Sequence, residues 1–468
     1  MSATVLSKHS GPLGSNKQTG KGRTMVHLGR HAIVIGASMG GLLAARALAD
    51  YYDEVTVLER DDLTDANEPR KGVPQGRHAH GLLARGREVL EQLFPGFSEE
   101  MVGQGAIFGD VVDEVLWFNH GVYLNNTPSR LQGLLISRPM LENSVRRRVL
   151  QLPNIRLRLQ SDAAQPAFDR AGNRVIGVRV DARDGSGGAA EQLAADFVVD
   201  ASGRGSHSPA WLDAEGYGRP REESIQVNIG YTTRLYRRRP EHLGGKLAAV
   251  LAACRPDWRV GAILAQEDNR WIVTLGGYFG DYAPADGVDF IEFARSLQKP
   301  EIFEVIRGAE PLTPPTTYQF NANLRRHYEE LTRFPQGYLA FGDALCSFNP
   351  IYGQGMTVAG MEALALHDCL AAGPQDLARR FFHAAARLID IPWQIAVGSD
   401  LQHPKVPGKR PPQVRFINWY LTKLYRAGQR DPLLATRFLE VANLIKQPAA
   451  LMEPRVALRV WKGNHTAA

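Results

Sequence analysis

Cysteine is scarce: Cys254, Cys346 and Cys369 are the only three in 468 residues, with no CxxC pair and no metal-ligand spacing. That argues against a disulfide framework and for a reducing, cytoplasmic setting. No apolar run approaches the length of a transmembrane span, and the first thirty residues lack the apolar core of a secretory signal. Those thirty residues also lack any acid, and Lys8, Lys17, Lys21, Arg23 and Arg30 supply five of the net +6 charge. The basicity therefore belongs to a Ser-, Gly-, Lys- and Thr-rich extension over 1–30, expected to be disordered, and not to a nucleic-acid-binding body. Met25 is a candidate start.

What is present is organised around His31–Arg60. Ala32-Ile33-Val34-Ile35 reads as a buried strand, Gly36 to Gly41 as a tight turn, and Leu42–Ala49 as a helix. A second strand, Val55–Leu58, ends on Glu59 and Arg60. This is the form of a dinucleotide-binding βαβ unit. Gly36 permits the turn, Ser38 is small enough for close approach of a diphosphate, and Gly41 lets helix meet strand. The helix N-terminus offers free N–H groups and a positive dipole end to that diphosphate. Glu59 is placed to bind ribose hydroxyls, which favours FAD or NAD over NADP. The middle glycine of the usual pattern is here Ser38, and a packing role for the glycines alone is the competing reading.

Arg70–Gly81 (RKGVPQGRHAHG) follows, before a helix with Leu82, Leu83, Val89, Leu90 and Leu93 on its apolar face. Arg77 is a candidate phosphate contact and His78 or His80 a neighbour of the cofactor; with no third ligand nearby, a metal centre is not expected. Val111–Phe118 and Val122–Leu124 read as strands leaving for a second sheet. Leu134–Ile136 returns before a helix with Pro139 in its first turn, placing Arg138 where strand meets helix. Arg146, Arg147 and Arg148 read as a solvated helix face. Ile155–Gln160, Val175–Asp181 and Gln192–Val199 read as a meander with a turn at Asp184–Gly188.

Phe197–Asp200 is a further buried strand, entering a Gly/Ser turn. Residues 224–236 alternate, with Ile225, Val227, Ile229, Tyr231 and Leu235 on one face. Val260–Gln266, Arg270–Tyr278 and Thr313–Asn321 extend the same antiparallel sheet, which can wall an apolar substrate chamber. In Gly337–Met361 a strand (Tyr338–Phe341), a Gly342-Asp343 turn and a loop at Asn349–Gly355 precede a helix from about Gln354 to Leu370. That helix aims a second N-terminus at a ligand, with Asp343 ahead of it. The rest reads as helices broken at Pro404–Pro412; Val414–Arg426 is expected to pack on the core or over the substrate entrance and not to lie on a membrane surface.

GASMGGL…VLER, VVDASGRGS and GDALCSFNPIYGQGM, in that order over Ala32–Leu370, resemble the three motifs of class A flavoprotein monooxygenases. RKGVPQGRHAHGLLARG and ISRPMLE are further similar to flavin epoxidases acting on polyene precursors of polyethers. The resemblance implies an α/β architecture like that of hydroxybenzoate hydroxylase. A Rossmann-like FAD-binding domain (31–105, 130–215 and 335–372) would be interrupted by a substrate domain with a mainly antiparallel sheet (106–129 and 216–334). A helical region (373–468) would follow. FAD would lie extended, with Gly36, Ser38 and Gly41 at the diphosphate, Glu59 and Arg60 at the adenosine end, and Arg77 and Arg138 along it. Asp343 would hold the ribitol, with Pro350, Gly353, Gly355 and Met356 beside the ring; His80 and Tyr352 are the candidate catalytic neighbours.

The implied reaction is transfer of one oxygen from O₂ to an apolar, electron-rich substrate through a flavin C4a-hydroperoxide. Asp200 is followed by Ala-Ser-Gly where phenol hydroxylases have Asp-Gly. No second nucleotide fold is visible, so electrons would come from transiently bound NAD(P)H or a partner flavin reductase. A halogenase, an isoprenoid reductase, an oxidase and a non-catalytic FAD-binding protein share this fold. The halogenase Trp-x-Trp-x-Ile-Pro is absent.

Overall fold

Four strands expected from their apolar runs and a fifth not expected there make a five-stranded parallel sheet in a computed structural model. Its order is Tyr338–Ala340, Phe197–Asp200, Gly29–Ile35, Tyr52–Leu58, Ile155–Arg158. The structure describes residues 26–64, 66–182 and 191–465. Residues 1–25 of the basic extension, with Met25, and the Asp184–Gly188 turn lie outside those residues, whereas Gly29 and Arg30, expected in the disordered extension, open the first strand.

Ala32, Ile33 and Val34 are fully buried because helices cover both faces of the sheet. The helix Met39–Leu48 packs its Leu and Ala side chains on one face, and Arg138–Leu150 follows with Pro139 in its first turn. Ser137 caps the latter, accepting from the Met140 amide. The long helix Gly355–Ala371 packs against Met39–Leu48.

A second sheet has eight strands in the order Cys346–Ser347, Thr316–His327, Arg221–Arg237, Arg270–Tyr278, Val260–Gln266, Ala248–Leu251, Val115–Asn119, Val122–Tyr123. Its pairings are antiparallel except that of Ala248–Leu251 with Val115–Asn119. Helices Leu377–Asp400, Pro412–Gly428, Pro432–Ala442 and Pro454–His465 complete the chain.

Several local expectations need correction. Ile155–Arg158 is the edge of the parallel sheet, not part of the meander, which is built from Ser161–Asp169, Arg174–Ala182 and Glu191–Ala194. Val111 and Val112 lie in a turn between Ile107–Asp110 and Val115–Asn119. Ile107–Asp110 pairs with Gln132–Leu135 in a separate ribbon. The alternation in 224–236 breaks at a bulge between Gln226 and Ile229, after which Ile229 to Thr233 are all buried because both faces are covered. Arg146 is not solvated: it is buried and donates to the Thr64 carbonyl at 2.6 Å and the Asn143 side chain at 2.7 Å.

Candidate active site

The first turn is closed by contacts that admit no side chain. Gly36 has φ +98°, and a Cβ there would lie 2.7 Å from the Ala201 carbonyl oxygen. A Cβ on Gly41 would lie 1.7 Å from the Gly36 carbonyl oxygen. Ser38 is the helix N-cap, yet its side chain makes no cap bond. The hydroxyl donates to Glu142 at 2.9 Å and accepts from Arg138 at 2.9 Å. The amides of the first helical turn therefore face the cleft with no side chain across them.

At the adenosine end, Glu59 is buried and accepts from the Ala37 and Asp61 amides, both at 3.0 Å. Arg70 approaches Glu59 at 3.2 Å and also pairs with Asp61 and Glu142, each at 2.9 Å. Glu142 is the hub, bonded as well to Arg138 at 2.7 Å. Burial alone would raise the Glu142 pKa, but Arg138 and Arg70 outweigh it and hold the group down at about 2. A cleft of about 460 Å³ opens beside this network, lined by Arg60, Arg70, Arg138, Glu142 and Arg146 among others. Arg60 and Arg77 are exposed.

The Gly-Asp turn lies directly against the first helix: a Cβ on Gly342 would sit 3.9 Å from Gly40 Cα. Asp343 is open to solvent, yet the surrounding protein raises its pKa, against the pull of Arg138 and Arg204. The Asp343 Oδ1 is 3.9 Å from where a Gly355 Cβ would be, at the N-terminus of the long helix. The loop before that helix touches the His80 segment, since a Gly353 Cβ would lie 3.3 Å from the Gly81 carbonyl oxygen. Contacts thus run from Glu59 through Arg70 and Glu142 to Ser38 and Arg138, with the Gly342-Asp343 turn against the first helix and Asp343 beside Gly355.

His80 bonds the His78 carbonyl at 3.0 Å; burial, then Arg138, lowers its pKa to about 4, so it is neutral at pH 7. Tyr352 has spent its hydroxyl on Asp400 at 2.8 Å, and burial beside that carboxylate pushes the phenol well above its ordinary range. It is an anchor for the Pro350–Tyr352 turn, not a free acid. Pro350 and Met356 flank this segment and are half-buried. Within electrostatic reach of Asp343 are Arg204, stacked 5.0 Å from the Phe320 ring, and Tyr318, which clusters with His78 and Tyr231 at ring-centroid distances of 4.9 to 5.5 Å.

Three groups escaped the sequence reading. Asp400, at the end of Leu377–Asp400, accepts from Asn323 at 2.7 Å, Asn349 at 2.9 Å, Tyr278 at 3.3 Å and Tyr352. Burial lifts its pKa to about 6. Asp200 knots the Gly/Ser turn, accepting from the Ser202 amide at 2.9 Å and from the Ser206 and Ser208 hydroxyls. Glu362 is fully buried and accepts from the Gly342 amide at 2.8 Å; burial raises its pKa to about 8. Between pH 4.5 and 8 the folded chain keeps this proton while the unfolded chain loses it. Stability should therefore fall as pH rises through that window, by up to about 1.4 kcal/mol per pH unit. Urea titrations from pH 5 to 8 should show the slope, and Glu362→Gln, which mimics the protonated form, should flatten it. Equal slopes would place the proton elsewhere.

Against known proteins, Protein Rv3254 of Mycobacterium tuberculosis (strain ATCC 25618 / H37Rv) is 35% identical over 428 residues, covering 89% of this chain and 90% of its own. The chain belongs to the family of Protein Rv3254. No protein-family model matches it. The flavin-dependent brominase Bmp2 superposes with a TM-score of 0.66 at 14% identity, over 94% of this chain and 98% of that one. The p-nitrophenol 4-monooxygenase PnpA from Pseudomonas putida DLL-E4 gives 0.62 at 15% identity, over 89% and 98%. The fold of this Rv3254 relative is that of flavin-dependent monooxygenases and halogenases. Among the described residues no group of three or more His, Cys, Asp or Glu could hold a metal, and no helix is long and apolar enough to cross a membrane.

Proposed function

We propose that the chain is an FAD-dependent oxidoreductase that inserts one oxygen atom from O₂ into an apolar, electron-rich small molecule, by epoxidation or hydroxylation. The observation that carries the reading is the run of contacts from Glu59 through Arg70 and Glu142 to Ser38 and Arg138, with Asp343 and the Gly355 helix N-terminus beyond the first helix. It suits an extended dinucleotide, with one helix N-terminus midway and another at its end. FAD, when bound, supplies the activation of oxygen. The Gly36–Gly41 turn and the first helix would receive its diphosphate, Glu59 and Arg60 its adenosine end, and Asp343 its ribitol. Gly353, Gly355 and Met356 would border the ring, with the second helix N-terminus favouring negative charge there.

The chain's own work is to position and to exclude water. Asp400 fixes Tyr352 and Asn349, and so the loop that ends at Gly353, while Tyr231, Tyr318 and Phe320 wall the far side. Neutral His80 adds no charge beside the site. The electron donor would be NAD(P)H or a partner flavin reductase. The absence of Trp-x-Trp-x-Ile-Pro weighs against halogenation, despite the likeness to Bmp2.

The test is flavin content followed by oxygen reactivity. The parent protein should purify with FAD. Asp343→Ala should bind it about 1.5–3 kcal/mol more weakly, the loss of a hydrogen bond to a charged group. Normal occupancy in that variant would remove Asp343 from the site, and a parent that takes up no FAD would overturn the reading. On mixing reduced protein with O₂, a lag between the loss of reduced flavin and the joint appearance of oxidised flavin and peroxide supports oxygenation. Oxidised flavin and peroxide formed with no lag behind the loss of reduced flavin would instead mean an oxidase.

A further inference from the structure

The helices Pro412–Gly428 and Pro454–His465 contain six basic residues and no acid. They pack side by side, closely enough that a Cβ on Gly463 would lie 2.7 Å from Ala427 Cβ. Their inner faces are spent on the protein: Tyr420, Leu424 and Val460 are buried, and the Tyr420 hydroxyl donates to the Leu451 carbonyl at 2.6 Å. Their outer faces are not polar. Phe416 is 49%, Trp419 56%, Leu458 51% and Trp461 58% exposed.

The spacing explains the pattern. Phe416, Trp419, Lys423 and Arg426 recur at three- and four-residue intervals, which sets two aromatic rings and two cations in one stripe along the first helix. On the second, Arg455, Leu458, Trp461 and Lys462 form an equivalent stripe. Between the helices runs a groove of about 940 Å³ lined by six basic side chains. One acid lines it, Asp431, which Arg459 pairs at 2.7 Å and which caps Pro432–Ala442 through the Leu433 and Leu434 amides.

We propose that this face docks on the surface of an anionic lipid bilayer. Exposed tryptophan and phenylalanine beside lysine and arginine suit the boundary between headgroups and acyl chains, where rings enter the apolar layer and cations meet phosphates. The charge decides among occupants. A second copy would bring an equally basic face, whose one acid is already paired with Arg459, and be repelled. A nucleic acid would match the charge but leave Ile417, Leu458 and Met452 with nothing to bury against. Val414–Arg426, expected to pack on the core, instead turns its Tyr420 and Leu424 face to the neighbouring C-terminal helices, through Leu434, Leu451 and Val460, with Tyr425 reaching the body at Leu124 and Leu131; the opposite face is the one left for lipid. Because both helices are already seated, binding needs no folding and adds a contact without reordering the chain.

The test is co-sedimentation of the flavin-loaded protein with vesicles of phosphatidylcholine alone or with phosphatidylglycerol added. Binding to the anionic vesicles should be at least about tenfold tighter and should weaken as salt is raised. Trp419→Ala with Trp461→Ala should lower it, as should Arg426→Glu with Arg430→Glu, each retaining parental circular dichroism and flavin content. Failure of the parent to pellet with anionic vesicles overturns the proposal. So does equal binding by both double variants, or preferential capture by a DNA oligonucleotide offered in competition.

Discussion

Gly41→Ala is expected to yield no folded, flavin-binding protein, whereas Gly40→Ala, one residue earlier, should leave fold and flavin content intact. A methyl on Gly41 would stand 1.7 Å from the Gly36 carbonyl oxygen, backbone that cannot swing aside. Relief would require the helix to lift from the strand that it crosses, opening the turn and the amides it presents. A methyl on Gly40 meets only the Phe341 ring at 3.9 Å, an ordinary contact, and removes the entropy penalty of glycine in a helix. Soluble yield, thermal unfolding and flavin absorbance of the two variants decide the matter. A well-folded yellow Gly41→Ala protein would show that helix and strand are less tightly joined than these contacts require.

Glu142→Ala should cost about 3–5 kcal/mol in urea unfolding, because it strands Arg138 with no ion pair in a buried setting and leaves Arg70 only Asp61 and Glu59. The carboxylate and Arg138 are each 7% exposed and Arg70 14%, so the charges left behind are poorly hydrated. Glu142→Gln keeps the acceptor oxygen and should recover part of the loss. In the parent, the network should hold above about pH 4.5 and fail as pH drops toward 2, the window set by a depressed acid. A change within experimental error would mean that Glu59 and Asp61 alone can neutralise Arg70.

How much of this was legible depended on whether the signal was local. The His31–Arg60 unit and the Gly342-Asp343 turn are written in consecutive residues, and strand, turn and helix formed there as their spacing requires. Arg138 was legible because Pro139 marks a helix start. Ile155–Arg158 was misread because, at a sheet edge, a parallel strand carries the polar alternation of an exposed ribbon. Arg146 was misread because a run of three arginines looks solvated, while helical rotation turns one inward. Glu142 sat within a recognised motif, but only the fold brings it to Arg70. Asp400 had no local mark at all: its partners lie 48, 51, 77 and 122 residues away.

That last carboxylate makes the tail inseparable from the body. A chain shortened to end at Ala371 would keep every nucleotide-type motif and still lose the latch on Tyr352, Asn349, Asn323 and Tyr278. Grafting the tail of one relative onto the trunk of another therefore demands that Asp400 and its two asparagines travel together. Left alone, either the acid or the amides would be entombed without a counterpart, and the mouth of the chamber would slacken although no residue lining it had been altered.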